Sequence, residues 1–151
     1  MPGRLRARAA YLALALGTIA VGLAVHLGGE ALGRTTRDVV GDALWATMVA
    51  WWVGAVAPGA GLRTRAAIAL GLCFAVEVSQ LHHAAALDAL RATRAGHLVL
   101  GSGFDPRDLA AYAAGVAAAV LLERAVIRRR RRRAAVPELA TPPSPPRSAP
   151  G

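Results

Sequence analysis

The chain has 151 residues, 55% of them hydrophobic, with 18 basic residues against nine acids for a formal charge of +9. Once the tails are set aside about 120 residues remain, enough for one helical bundle and too few for a second domain. The single cysteine, Cys73, excludes an internal disulfide and a multi-cysteine metal knuckle, and apolar residues gathered in blocks exclude an ordinary soluble core.

In chain order, residues 9–27 form an uncharged run of 19 residues, which as a helix is about 28 Å long and matches the hydrocarbon thickness of a bilayer. Arg4, Arg6 and Arg8 precede it. The run is longer than a signal-peptide core and shows no clear cleavage site, so it is read as a first span. A second span is expected over 39–57, ended by Pro58-Gly59-Ala60-Gly61, which breaks the helix and turns the chain. Within it, Trp51 and Trp52 suit the interfacial belt, whereas Trp45 suits packing against another helix. A third span, the least hydrophobic, is expected over 66–82 and a fourth over 109–127. Before the fourth, Asp105-Pro106-Arg107-Asp108 spells a helix start, with Asp105 as N-cap, Pro106 in the first helical position and Asp108 in the first turn. The glycine-bearing stretch 98–104 lacks the Gly-Lys-Ser/Thr ending of a phosphate loop and reads as a membrane-surface turn.

If the four spans alternate, Arg4, Arg6, Arg8, Arg63, Arg65 and the arginine run 128–133 share one side, which the positive-inside rule makes cytoplasmic. The opposite loops carry arginines and acids in balance. The expectation is therefore an all-α, integral membrane four-helix bundle of the bacterial inner membrane over residues 1–127, with both termini cytoplasmic. Residues 128–151 are expected to form an Arg-rich, then Pro-rich, disordered tail, because 134–151 holds six prolines and no apolar periodicity. The arginine run is read as a topological anchor, with lipid binding favoured over nucleic acid, for which no role is expected.

Acids inside apolar runs are costly, at about 2.5 to 3.5 kcal/mol each on insertion scales, and mark candidate function. Asp42 lies one turn into span two, Glu77 and Gln80 share a face of span three, and Asp108 and Tyr112 share a face of span four, all toward the same leaflet. Arg91 and Arg94 in the outer loop are expected to take these carboxylates two-handed. The candidate functional cluster is thus Asp42, Glu77, Gln80, Arg91, Arg94, Asp108 and Tyr112. A ligand site, a proton path and a purely structural ion-pair network are the readings open to it. His82, His83 and His97 could join Glu77 around a metal, but nothing fixes their spacing, and neither metal nor cofactor is expected. Cys73 and Ser79 lack a nearby base and are not nucleophile candidates, so an enzyme is not the expectation. Glu123 reads as an interfacial pair with Arg124.

The order of Gly41-Asp42-Ala43-Leu44-Trp45-Ala46, Glu77-Val78-Ser79-Gln80-Leu81, Leu87-Asp88-Ala89-Leu90-Arg91-Ala92-Thr93-Arg94, Gly96-His97 and Asp108-Leu109-Ala110-Ala111-Tyr112 resembles a bacterial family of small four-span membrane proteins. It is classed among the domains of unknown function under the number twenty-eight-oh-nine. The likeness runs from about Tyr11 to Glu123. More loosely, the Glu-x-x-Gln, the loop arginine and the Asp that opens the last helix resemble VanZ-like proteins, which are linked to teicoplanin resistance. Those chains typically carry Asn where Tyr112 stands. The resemblance implies a membrane location and a polar outer-leaflet site. The resulting expectation is a binding or accessory protein that meets a membrane lipid or a cell-wall precursor. An intramembrane enzyme on a lipid-linked substrate and a proton-coupled carrier stand as alternatives.

Overall fold

The computed structural model describes residues 2–28, 32–82, 84–93, 96 and 103–134. Among the described residues there are five helices and no strand: α1 (Pro2–Gly28), α2 (Arg34–Val56), α3 (Leu62–Ser79), a short α4 (Ala85–Arg91) and α5 (Pro106–Ala134). Three of them contain segments long and apolar enough to cross a membrane, Gly3–Gly28, Arg34–Val56 and Pro106–Arg129. The protein is a membrane protein built of helices. The third expected span, 66–82, overlaps α3, whose 18 residues include Arg63, Arg65 and Glu77; α3 is not among the three helices long and apolar enough to cross a membrane.

Local chemistry sets the helix ends. Gly33, at φ 71°, stands in the left-handed region ahead of α2, where a side chain would be strained. Pro58 has no N–H to continue α2, and the chain closes on itself with the Ala57 amide donating to the Val53 carbonyl at 2.9 Å. The five-residue connection 57–61 makes α2 and α3 antiparallel neighbours. At α5 the expected start is found: Asp105 Oδ1 accepts from the Arg107 amide at 2.9 Å, Pro106 is the first helical residue and Asp108 lies in the first turn. The helix then runs on through the arginines to Ala134, so residues 128–134 are helical and not part of a disordered tail. Residues 135–151 lie outside the described part, as do His83, Arg94, His97 and the stretch 97–102.

The core is rich in alanine, whose small side chain lets backbones approach, as expected where lipid gives no hydrophobic drive between helices. One cluster joins Ala46 and Val53 of α2, Ala69 and Cys73 of α3, and Tyr112 and Val116 of α5; a second joins Ala15, Trp51 and Ala119. A Cβ at Gly115 would collide with the Ala43 carbonyl, so glycine is what permits the α2/α5 crossing. Thr47 bridges that crossing, its hydroxyl within reach of the Ala43 carbonyl at 2.8 Å and the Gly115 carbonyl at 3.0 Å.

The tryptophans divide differently from expectation. Trp45 does pack across helices, on Tyr112 at 5.5 Å between centroids. Trp51 is buried and lies 6.3 Å from the Tyr11 ring, while only Trp52 of the belt pair is exposed. Trp51 turns inward because α1 lies against that face of α2, giving an aromatic surface a partner.

Candidate functional site

Two polar groups lie at opposite ends of the bundle, with the buried Ala46, Ala69, Cys73 and Val116 among the residues between them. The first is centred on Glu77, in the last turn of α3. Its side chain is 0% exposed, and three donors from two elements converge on it. The Asp105 amide donates to Oε1 at 2.7 Å, the Tyr112 hydroxyl to Oε2 at 3.0 Å and Gln80 Nε2 to Oε2 at 3.3 Å. Asp105 thus works twice, its carboxylate capping α5 and its amide tying that cap to α3. Asp42, half-buried on α2, lies close enough to Asp108 of α5 for the two carboxyls to interact, and Asp38, Glu77 and Asp105 lie within electrostatic range of one or both. Carboxyls from α2, α3 and α5 and the N-cap loop therefore meet at one end, an arrangement that favours a cationic group over an anionic one.

The arginines do not take the places expected of them. Arg91 is buried, yet its guanidinium donates to the Ser79 carbonyl at 2.7 Å, the His82 carbonyl at 3.0 Å and Asp88 at 3.2 Å. The physical reason is proximity. The chain at and just after the end of α3 presents the Ser79 and His82 carbonyls, and an arginine 9 to 12 residues downstream reaches them. Glu77 has meanwhile filled its acceptors with uncharged donors. Among the described residues no arginine contacts Asp42, Glu77 or Asp108, and Arg94 lies outside them. The cluster of Asp42, Glu77, Gln80, Asp108 and Tyr112 is brought together, while Arg91 stands beside it as the cap of α3.

Three buried side-chain polar atoms have no hydrogen-bond partner among the described residues: Trp45 Nε1, Gln80 Oε1 and Arg91 Nε. Trp45 packs on Tyr112, Gln80 bonds Glu77, and Arg91 bonds Ser79 beside Gln80, so all three belong to this end. No group of three or more His, Cys, Asp or Glu among the described residues is placed to hold a metal ion. His82 is exposed whereas Glu77 is fully buried.

The second polar group was not anticipated. Arg65 of α3 donates through Nη1 to the Tyr11 hydroxyl and through Nη2 to Glu123 Oε1, both at 2.5 Å, and through Nε to the Ala60 carbonyl at 3.1 Å. The Tyr11 hydroxyl in turn donates to Glu123 Oε1 at 2.8 Å. Glu123 therefore pairs with Arg65 and not with its neighbour Arg124, whose side chain is exposed. The guanidinium carbon stands 5.1 Å from the Tyr11 ring centroid, and a Cβ at Gly54 would strike that ring at 2.7 Å. A depth count contained the signal. Tyr11, Arg65 and Glu123 each lie near the same edge of their apolar runs, but which residues face one another depends on helix rotation.

A family model described as "Protein of unknown function (DUF2809)" matches residues 32–116, which is 85 of the 151 residues. The chain belongs to this family. The match is narrower than the expected 11–123, and it holds Asp42, Glu77, Gln80, Arg91, Asp108 and Tyr112 while leaving out Tyr11 and Glu123. No solved structure matches the chain.

Proposed function

We propose that the protein is an inner-membrane binding or accessory protein, with its Glu77 end toward the outer leaflet, that meets an envelope lipid headgroup or a cell-wall precursor there. α3 serves as a fourth crossing in this reading, since its first turn bonds α1 and the end of α5 while its last turn bonds the start of α5. Arg4, Arg6, Arg8, Arg63 and the arginine run then lie on the cytoplasmic side. The observation that carries the proposal is the set of unpartnered buried atoms, Gln80 Oε1, Arg91 Nε and Trp45 Nε1, gathered at the end where Asp42 and Asp108 meet. A buried polar atom without a partner costs about 1 to 3 kcal/mol, so three of them at one end are accounted for by a ligand that both donates and accepts. An amine-bearing headgroup fits: its N–H groups meet Gln80 Oε1 and the Asp42/Asp108 carboxyls, and its oxygens meet the two unpaired donors.

Glu77 itself has a second, structural reading, favoured by its complete burial and its three donors. It clasps α3 to the start of α5 and thereby holds Gln80 and Asp108 in place. A proton-coupled carrier is less supported, because buried apolar side chains separate the two polar ends. The test is mass spectrometry of lipids that co-purify with the full chain. Asp42→Asn and Gln80→Leu should each lose an amine-bearing envelope lipid or precursor that the unaltered protein retains. If both folded variants keep the same lipids as the unaltered chain, the reading fails.

A further inference from the structure

The last helix does not stop where its apolar run ends. After Ile127, α5 continues through six consecutive arginines to Ala134. Consecutive helical positions are 100° apart, so residues 128–133 go around the axis more than once within about 9 Å of its length. That distance is close to the roughly 5 to 7 Å depth of one headgroup layer. The side chains of Arg128, Arg129, Arg131 and Arg132 are exposed.

Such a helix segment is unfavourable in isolation. Arg128 and Arg131, Arg129 and Arg132, Arg128 and Arg132, and Arg124 and Arg128 are like-charge pairs at spacings of three or four. Each destabilises a helix by about 0.2 to 0.5 kcal/mol. The only acid at this end among the described residues is Glu123, and Arg65 holds it at 2.5 Å. The exposed Arg4, Arg6, Arg8 and Arg63 add further positive charge at the same end. The described residues supply no further counter-charge at this end. A helix leaving the bilayer meets phosphates at every azimuth, and a guanidinium fork binds phosphate two-handed.

We propose that the α5 extension is a collar for acidic phospholipid headgroups, with Arg128, Arg129, Arg131 and Arg132 taking lipid phosphates. It concerns the end opposite the acid cluster, so its failure and that of the envelope-ligand reading are separate outcomes.

The full-length protein is reconstituted in phosphatidylcholine vesicles containing a minority of phosphatidylglycerol. Spin-labelled versions of each lipid report their association with the protein surface. The expected result is a preference for phosphatidylglycerol of about threefold or more at low salt, declining as salt is raised. In a variant carrying Arg128→Gln, Arg129→Gln, Arg131→Gln and Arg132→Gln the preference should fall close to one. Equal association of the two lipids with the unaltered protein, a preference indifferent to salt, or a preference retained by the variant would overturn the proposal. So would an RNA that the unaltered protein binds in place of the acidic vesicle surface. A preference of the unaltered chain that does not decline with salt overturns the proposal whatever the variant's stability.

Discussion

Replacing Glu77 by methionine isolates the clasp between α3 and α5, because Met fills a similar volume and leaves no large cavity while removing every acceptor. Three donors lose their partner. Tyr112 is only 5% exposed and its hydroxyl donates to no other described acceptor, so its loss belongs at the upper part of the range of about 1 to 3 kcal/mol for an unsatisfied group. The Asp105 amide, at the half-buried mouth of α5, can recover part of its loss from water, which puts it near about 1 kcal/mol. Gln80 Nε2, at 3.3 Å, contributes least. Because neighbouring losses do not add fully, the expected destabilisation is about 3 kcal/mol. Thermal or denaturant unfolding of the purified protein in micelles, followed by helical signal, measures it. A double-mutant cycle with Tyr112→Phe should give a coupling of about 0.6 to 1.7 kcal/mol, the span found for hydrogen bonds between membrane helices. If Glu77→Met unfolds within about 0.5 kcal/mol of the unaltered chain, Glu77 is not a clasp and the reasoning fails.

At the other end, Glu123→Ala strands the Arg65 guanidinium and should cost about 3 kcal/mol, whereas the double change Arg65→Met with Glu123→Met should recover most of that in the same unfolding assay. A double variant as unstable as the single would show that charge pairing is not what matters there. Gly115→Ala forces a Cβ onto the Ala43 carbonyl and should destabilise by about 1 to 3 kcal/mol, while Gly71→Ala, with open space around it, should be neutral or slightly stabilising. Equal effects at the two glycines would contradict the close α2/α5 crossing. In a Cys73→Ala background, single cysteines at Arg63 and Arg107 should react oppositely with a membrane-impermeant thiol reagent on intact cells, with only Arg107→Cys labelled. Labelling of Arg63→Cys alone would reverse the proposed orientation.

The family match brings the Glu77 end into focus without supplying an activity. Its span holds every described member of that cluster, whereas Tyr11 and Glu123 of the Arg65 group fall outside it. The Glu77 end is therefore where tests of function belong, and the Arg65 end is where tests of stability and lipid contact belong.

Much of this molecule was legible from local chemistry alone. Apolar blocks of bilayer length located α1, α2 and α5, and the Asp105-Pro106 pair marked the start of α5, because spans and caps depend on neighbours within a few residues. The partners of the charged groups could not be read that way. Glu77 meets Tyr112 35 residues away and Tyr11 meets Glu123 112 residues away, contacts set by the rotation and closeness of packed helices. Charge alone suggested that Arg91 would seek a carboxylate. Only the tertiary structure shows it reaching the Ser79 and His82 carbonyls together with its neighbour Asp88, while Glu77 is enclosed by uncharged donors.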